Sequence, residues 1–363
     1  MRIVKESYCH AGFCIDLANR RNIDIEIKIE VLKMSKPNVV VIGGLMTPAL
    51  ERLQNFCSIK QWKKENDIPR DILLEWVADA EGLIVNNSVA VNEELLQNAP
   101  RLKVIAQMAV GYDNVDIEAC SKYNIPFGNT PGVLVDATAD LAFSLLLCSA
   151  RRIHEGWDFV RANSWALGHK LSFGIDIAGK TLGIVGMGQI GAAVAQRAKA
   201  FGMNVIYYNR NRRHDDDKIG AVYQSFETLL DKADAIIVLT PLSQGTRGLF
   251  GREEFRKMKS TAYFINVSRG PVVDTDALVE ALQTGEIAYA ALDVTDPEPV
   301  AQDHPLLKLS NILITPHIGS ATVETRTAMA QLTVDNLLAG LADRPLAACV
   351  NASRINGKNE KSF

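Results

Sequence analysis

Three side chains in the last third of the sequence are of the types that reduction of a 2-oxo acid requires. They are Arg269, Glu298 and His317, within the strings NVSRG, DPEP and TPHIG. A guanidinium can hold a carboxylate by two hydrogen bonds, an imidazole can pass a proton near neutral pH, and a neighbouring carboxylate keeps that imidazole protonated. We therefore predict that these residues are catalytic and that the chain is an enzyme acting beside a nicotinamide. A capping or core role for His317 is the weaker alternative.

A glycine fingerprint precedes these residues. The apolar segment LGIV leads into GMGQIG at residues 186–191, and a helical pattern follows as far as Phe201. In such a unit the first glycine permits the turn, the second lets backbone approach a pyrophosphate, and the third lets the helix pack on the strand. A glycine-rich turn without a ligand is disfavoured by this strand and helix context. The predicted cofactor contacts here are Gly186, Gly188, Gln189, Ile190 and Gly191.

The end of the next predicted strand bears on which dinucleotide binds. Folds that prefer NAD place an acidic residue near this point, whereas the sequence has Asn209 followed by Arg210, Arg212 and Arg213. Because arginine binds phosphate well, we predict Asn209, Arg210 and Arg212 as cofactor contacts, with NADP(H) preferred and NAD(H) accepted. The alternative is that these arginines form a solvated turn, paired with the acids at 215–217.

Short β-branched segments alternate with amphipathic helical segments from Asn38 onward. This alternation predicts an α/β protein with parallel sheets, and the number of strands favours two Rossmann-like domains. Helices are predicted at 93–97, 194–200, 252–258 and 277–283. The predicted strands are 39–42, 83–85, 104–107, 182–185, 205–208, 236–239, 263–267, 288–292 and 312–314.

The fingerprint lies in the middle of the chain, so the nucleotide-binding domain is expected to be inserted into a discontinuous substrate domain. We assign residues 132–317 to the NAD(P)-binding domain and residues 34–131 with 318–350 to the substrate (catalytic) domain. Residues 1–33 are interpreted as a non-essential extension, and 351–363 as a C-terminal tail.

Two long helices are expected to connect these domains. Residues 136–151 have a dense apolar face that suits a contact between domains or subunits. A second helix, at 323–341, would return the chain to the first domain.

Composition excludes several classes of function. The chain is 22% charged with a net charge of −3, which gives no indication of a nucleic-acid partner or a membrane surface. Its six cysteines are scattered without CxxC pairs, which favours reduced thiols in a cytoplasm and argues against a metal site.

With these residues in place, the sequence resembles the D-isomer-specific 2-hydroxyacid dehydrogenases, and among them most closely the glyoxylate/hydroxypyruvate reductases. The resemblance covers about residues 38–350. It rests on VGYDNVD at 110–116, the fingerprint, TPL at 240–242 with Thr246, FINVSRG at 264–270, LDV at 292–294, and PHIGSAT at 316–322.

The resemblance implies a role for each group. Arg269 would bind the substrate carboxylate and polarise the keto oxygen, His317 would protonate that oxygen, and Glu298 would pair with His317. Backbone amides of Val110 and Gly111 would hold the other side of the carboxylate.

Further contacts follow from the same resemblance. Asn87 would contact the substrate, Asp293 would position the nicotinamide carboxamide, and Trp165 would reach toward the partner of a homodimer. The other implied cofactor contacts are Thr138, Thr240, Pro241, Thr246, Val267 and Gly319.

Several alternatives stay open at this point. Phosphoglycerate-type relatives have Arg-Ser where this chain has Asn86 and Asn87, which favours a small substrate such as glyoxylate or hydroxypyruvate. A D-3-phosphoglycerate, D-lactate or branched-acid dehydrogenase would keep the same chemistry. From a different class, a nucleotide-sensing corepressor would retain similar Arg, Glu and His residues without turnover.

Overall fold

Parallel strands dominate the structure, a computed structural model that describes residues 36–64 and 66–355. The expected extension at 1–33 and residues 356–363 of the expected tail lie outside the described residues. The chain divides into two compact units. The first holds the described residues of Met1–Met108, Asn114–Asn129 and Ala330–Phe363, and the second holds Ala109–Asp113 and Thr130–Met329.

The first unit is built on a parallel sheet with the order β2-β1-β3-β4-β5. Its central strands are runs such as VVVI and LIV that are almost wholly buried, as expected for parallel strands covered on both faces. In chain order the elements are β1 (Asn38–Ile42), α1 (Thr47–Phe56), β2 (Ser58–Trp62), α2 (Arg70–Val77), β3 (Gly82–Val85), α3 (Glu93–Gln97), β4 (Val104–Gln107), α4 (Ile117–Lys122) and β5 (Phe127–Gly128).

The second unit contains a parallel sheet with the order β12-β11-β10-β9-β6-β7-β8. Strands β7 and β8 extend the sheet on one side of β6, and β9 to β12 extend it on the other. The boundary between β6 and β9 is therefore a topological switch point, of the kind at which nucleotides bind. The elements are α5 (Val135–Ala150), α6 (Ile153–Arg161), β6 (Thr181–Val185), α7 (Gln189–Ala200), β7 (Asn204–Tyr208), α8 (Asp216–Ile219), β8 (Val222–Tyr223), α9 (Phe226–Lys232), β9 (Ala235–Val238), α10 (Arg252–Lys257), β10 (Tyr263–Asn266), α11 (Thr275–Thr284), β11 (Tyr289–Leu292) and β12 (Ile312–Ile314).

Two further helices complete the described chain. Helix α12 (Val323–Leu341) begins in the second unit and continues in the first, and α13 (Ala352–Ile355) follows it. In the first unit, Val334 and Leu337 of α12 pack with Val39 and Val104 in one apolar cluster. Among the described residues, no helix has the length and apolar character needed to cross a bilayer.

The predicted α/β class with two Rossmann-like parallel sheets is confirmed. Each of the nine predicted strands is present with ends shifted by at most one residue, whereas β2, β5 and β8 were not predicted. Strand β2 was not predicted because it is an edge strand, SIKQW, whose residues other than Trp62 are exposed or half-buried and form no apolar run.

Helix α5 lies wholly in the second unit, and its expected role in a contact between domains or subunits stays a prediction. Its apolar face is covered within the second unit, where Ala142, Phe143 and Leu146 join one core cluster with Ile184 and Ile265 of the sheet. A dense apolar stripe shows that a helix face is buried but does not show what buries it.

The division into units differs from the expected domain boundaries at 109–113, 130–131 and 318–329, and it places the expected tail residues 351–355 in the first unit. Residues 318–329 group with the second unit, where the amides of Ile318 and Gly319 donate to the carboxylate of Asp293. Residues 109–113 also belong there, since Asp113 pairs with Arg269. Short side-chain bonds fix these loops, and no composition change in the sequence marks them.

Candidate active site

The three predicted catalytic residues follow three strands that are neighbours in the second unit. Arg269 comes shortly after β10, Glu298 after β11 and His317 after β12, and these strands are adjacent and parallel. Carboxyl ends of parallel strands meet at one edge of a sheet. The fold therefore brings together side chains that are almost 50 residues apart in sequence.

His317 and Glu298 form a direct pair. Nδ1 of the imidazole lies 2.6 Å from Oε1 of the carboxylate. Burial alone would raise the pKa of Glu298, but the hydrogen bond and charge of His317, with smaller contributions from the Thr295 backbone and Arg269, lower that pKa below its usual value. Because an ionised carboxylate only accepts, Nδ1 carries the hydrogen and Nε2 is the atom left to exchange a proton.

A buried aspartate holds the His317 loop. Asp293 is 1% exposed, and its Oδ1 accepts from Thr315 Oγ1 at 2.7 Å and from the Ile318 amide at 2.8 Å. Its Oδ2 accepts from the Gly319 amide at 2.8 Å, and its backbone carbonyl accepts from the His317 amide. Both carboxylate oxygens are thus engaged in fixing the loop, a function that the resemblance did not imply. Its predicted contact with the nicotinamide carboxamide stays a prediction.

Arg269 is confined on several sides. Its Nε donates to Asp113 Oδ1 at 2.9 Å, and its Nη1 donates to the Ser268 carbonyl at 3.0 Å. A Cβ on Gly111 would overlap its Nη2, and a Cβ on Gly270 would overlap the Thr295 carbonyl. Glycine at these two positions lets the guanidinium and the loop that leads to Glu298 approach closely.

The glycine fingerprint forms the turn between β6 and α7. Gly186 has a φ of +103°, and a Cβ there would lie 2.6 Å from the Thr240 amide nitrogen. A Cβ on Gly191 would lie 2.6 Å from the Gly186 carbonyl oxygen, whereas Gly188 faces open space. The start of the twelve-residue helix Gln189–Ala200 is therefore free of side chains at Gly188, which fits a dinucleotide pyrophosphate.

The arginines after β7 are in different situations. Arg212 Nε donates to Asp216 Oδ2 at 2.7 Å, and Arg213 binds both carboxylate oxygens of Asp215. Arg212 therefore already has an ion-pair partner, as the solvated-turn alternative predicts, and a cofactor phosphate would compete with Asp216 for its guanidinium. Arg210 is exposed, and no described residue pairs with it. Oδ1 of Asn209 accepts from the Met187 amide at 2.7 Å, which ties the strand end to the fingerprint.

Several other predicted cofactor residues lie together near the His317 loop. A Cβ on Gly319 would lie 3.5 Å from Thr138 Cγ2 and 3.7 Å from Val267 Cγ1.

After β9, the hydroxyl of Thr246 donates to the Pro241 carbonyl at 2.7 Å and accepts from the Ser243 amide. Thr246 therefore closes the loop that follows Thr240.

The predicted substrate contacts are divided between the units. Val110 and Gly111 belong to the second unit with Arg269, and Asn87 belongs to the first. Asn87 follows β3, and its Oδ1 accepts from Nε2 of Gln107 at 3.0 Å. Gln107 is fully buried and also bonds Asn114.

The sequence interpretation missed Asp113 and Gln107. Gln107 could have been noticed as a polar residue that ends the apolar strand VIAQ, and Asp113 as an acid shortly after that strand. Neither signal indicates which partner the side chain bonds.

Cysteines and candidate metal ligands contribute nothing to this site. Over residues 36–64 and 66–355, no cluster of His, Cys, Asp and Glu is arranged to hold a metal ion. Cys57 and Cys120 are buried, and burial raises the pKa of each thiol to about 12. Cys148 and Cys349 are also free thiols, whereas Cys9 and Cys14 lie outside the described residues.

Comparison with known proteins agrees with this geometry. Residues 143–319 match the model of the D-isomer specific 2-hydroxyacid dehydrogenase NAD binding domain. A glyoxylate reductase from Thermococcus litoralis is 49% identical over 84% of this chain and 93% of its own. The chain belongs to the D-isomer specific 2-hydroxyacid dehydrogenase family. It is therefore an oxidoreductase with an NAD(P)-binding domain.

Solved structures give the same result. A protein from Thermus thermophilus superposes with a TM-score of 0.81 at 43% identity, covering 86% of this chain and 99% of its own. The NADPH-dependent glyoxylate/hydroxypyruvate reductase of Sinorhizobium meliloti, solved with NADP and malonate, gives a TM-score of 0.78 at 31% identity, covering 87% of this chain and 97% of its own.

Proposed function

We propose that the chain reduces glyoxylate and hydroxypyruvate to glycolate and D-glycerate, with NADPH as the preferred cofactor. The observation that carries this proposal is the 2.6 Å pair of His317 and Glu298 at the strand end next to Arg269. The relatives named glyoxylate reductase support the substrate class. We further propose that the activity is cytoplasmic, in keeping with the free thiols of the described cysteines.

Each residue then has a defined task. Arg269 binds the substrate carboxylate with the amides of Val110 and Gly111, and so orients the 2-oxo group. His317 donates a proton from Nε2 to the keto oxygen, while Glu298 stabilises the protonated ring through Nδ1. When bound, the nicotinamide cofactor supplies the hydride. Because Glu298 has a lowered pKa, its carboxylate stays charged at neutral pH and maintains this support.

The side chains that follow β3 favour a small substrate without a phosphate group. Asn86 Oδ1 accepts from the amide and hydroxyl of Ser88, and Asn87 Oδ1 accepts from Gln107. These amides offer no positive charge for a phosphate group. We therefore propose Asn87 as a contact for an uncharged part of the substrate, and D-3-phosphoglycerate stays the alternative.

A panel of substrates tests this proposal. Oxidation of NADPH and of NADH is followed by absorbance with glyoxylate, hydroxypyruvate, pyruvate and 3-phosphohydroxypyruvate. We expect the highest kcat/KM with the first two acids and NADPH. Turnover of the phosphorylated acid alone would contradict the substrate assignment, and turnover with NADH alone would contradict the cofactor assignment.

Cofactor preference should reverse in the variant Asn209→Asp. The new carboxylate can still accept from the Met187 amide, so the turn is retained, but it repels a 2′-phosphate. We expect the ratio of kcat/KM for NADPH to that for NADH to fall by about 10- to 100-fold, as loss of one to two charge-assisted contacts would give. An unchanged ratio would contradict the assignment.

Two arginine variants provide the matched comparison. Arg210→Ala should weaken NADPH use, because no described residue competes for its guanidinium. Arg212→Ala should have the smaller effect, since Arg212 is bound to Asp216. The reverse order would show that Arg212 leaves Asp216 to hold the phosphate.

An exposed apolar surface supports the proposed homodimer. None of the residues of α6 is buried, and Trp157 is 63% exposed. The following segment adds Trp165, which is 73% exposed, and Phe173, which is 99% exposed. Clustered exposure of large apolar side chains marks an interaction surface. We call residues 153–173 the arm surface and propose that a second copy of the chain covers it.

The variant Trp157→Glu should therefore be monomeric. Light scattering after size exclusion should give twice the chain mass of 39.8 kDa for the wild type and a single chain mass for the variant. Val222→Glu is the control, because Val222 is 58% exposed but lies on the edge strand β8, outside the arm surface. A dimeric Trp157→Glu would contradict the role of the arm surface.

A further inference from the structure

The orientation of Arg269 depends on an acid that the catalytic set does not include. Asp113 Oδ1 accepts from Arg269 Nε at 2.9 Å, and the two side chains are 31% and 20% exposed. They are 156 residues apart in sequence, and both belong to the second unit. Asp113 has no role in the proton transfer proposed above.

The remaining contacts of the guanidinium limit how it can turn. Nη1 donates to the Ser268 carbonyl at 3.0 Å, and Gly111 lies so close to Nη2 and Cζ that a Cβ there would overlap them. With Asp113 on Nε, the planar group is held at three of its positions.

We propose that Asp113 is the positioning residue of Arg269, and that it determines which edge of the guanidinium receives the substrate. A guanidinium can grip a carboxylate with two parallel bonds through Nε and one Nη, or through both Nη atoms. Asp113 holds Nε, so a two-pronged grip on a 2-oxo acid uses the edge formed by Nη1 and Nη2, where each nitrogen carries two hydrogens and Nη1 gives one of them to Ser268. This inference rests on the proposed function.

Removal of the Asp113 carboxylate should change KM in a direction that distinguishes two roles of this residue. If Asp113 only competed with the substrate carboxylate for Arg269, removing it would lower KM. If it positions Arg269, removing it raises KM, because a mobile guanidinium must be ordered again by each substrate molecule. The two roles therefore predict opposite shifts.

The experiment compares Asp113→Ala, Asp113→Asn and the wild type. The substrate is the 2-oxo acid that the wild type reduces fastest, because every such acid carries the carboxylate that Arg269 holds. Binding of oxalate in the presence of NADPH, measured by calorimetry, adds a readout that needs no turnover. We expect Asp113→Ala to raise KM by about 10-fold or more and to weaken oxalate to a similar extent. Asp113→Asn should recover most of the loss, since its Oδ1 still accepts from Nε.

The same substitution made in an Arg269→Lys chain distinguishes a positioning role of Asp113 from a general structural role. In an Arg269→Lys chain the Nε edge is gone, so Asp113→Ala should change KM by less than about twofold. Asp231→Ala, an exposed aspartate on α9, is the control and should behave as the wild type.

Two results would overturn the inference. One is a KM and an oxalate affinity in Asp113→Ala that equal those of the wild type or are better. The other is an equal loss of NADPH affinity, which would indicate general damage. Failure of the proposed function would appear separately. The wild type would then reduce neither glyoxylate nor hydroxypyruvate, while Asp113→Ala would still raise KM for another 2-oxo acid.

Discussion

Replacing His317 by asparagine should lower kcat for 2-oxo acid reduction by about 10²- to 10⁴-fold, the range that a general acid contributes. Asparagine is the appropriate replacement because His317 has a φ of +53°, a left-handed conformation that asparagine tolerates. The amide cannot donate a proton to a keto oxygen at neutral pH. Affinity for NADPH, measured by quenching of protein fluorescence, should be unchanged.

The pH dependence of the wild type provides the control for this result. Reduction should decline as pH rises from about 6 to about 9, because the donor must hold a proton. Glu298, with its pKa lowered, is charged over this whole range and adds no change of its own; its support is lost only as pH falls through that lowered value. A flat profile with chemistry rate-limiting would exclude His317 as the acid.

Replacing Arg269 by alanine should lower kcat/KM by about 10³-fold or more. The variant loses the charged grip on the substrate carboxylate and the donor beside the keto oxygen, and removing one such donor alone costs about 10²- to 10³-fold. Arg269→Lys should fall between the wild type and the alanine variant, because it keeps the charge but not the planar pair of donors.

An exposed arginine of the same unit gives the control for Arg269. Arg252 pairs with Glu280 at the surface, so Arg252→Ala should leave kcat and KM unchanged. If Arg269→Ala lowered kcat but left both KM and oxalate affinity as in the wild type, the carboxylate would be bound elsewhere and the assignment of Arg269 would be wrong.

Much of the fold could be predicted because buried parallel strands are almost purely apolar. Runs such as VVVI and YFIN predict strands without knowledge of their neighbours. Arg269, Glu298 and His317 were selected because each stands in a string close after such a strand, and strand ends are where parallel sheets gather functional side chains. The family membership and the enzyme class were predicted on the same strings and are confirmed.

The hydrogen-bond and ion-pair partners of the polar side chains could not be predicted from the sequence. The contact of Asp293 with the cofactor stays a prediction, whereas its hold on the His317 loop could not be predicted, because only the folded chain defines the path of that loop. The cofactor contact of Arg212 stays a prediction, but its pairing with Asp216, four residues later on a short helix, could not be predicted from the sequence. Asp113 gave no signal of its pairing with Arg269, since no local pattern connects residues so distant in sequence.

The most direct test of this account is the product formed from hydroxypyruvate. The purified wild type is incubated with NADPH, and the amount and configuration of glycerate are measured by chiral chromatography alongside the loss of NADPH. The account predicts one D-glycerate for each NADPH consumed. L-glycerate, or no glycerate from a protein that binds NADPH, would contradict it.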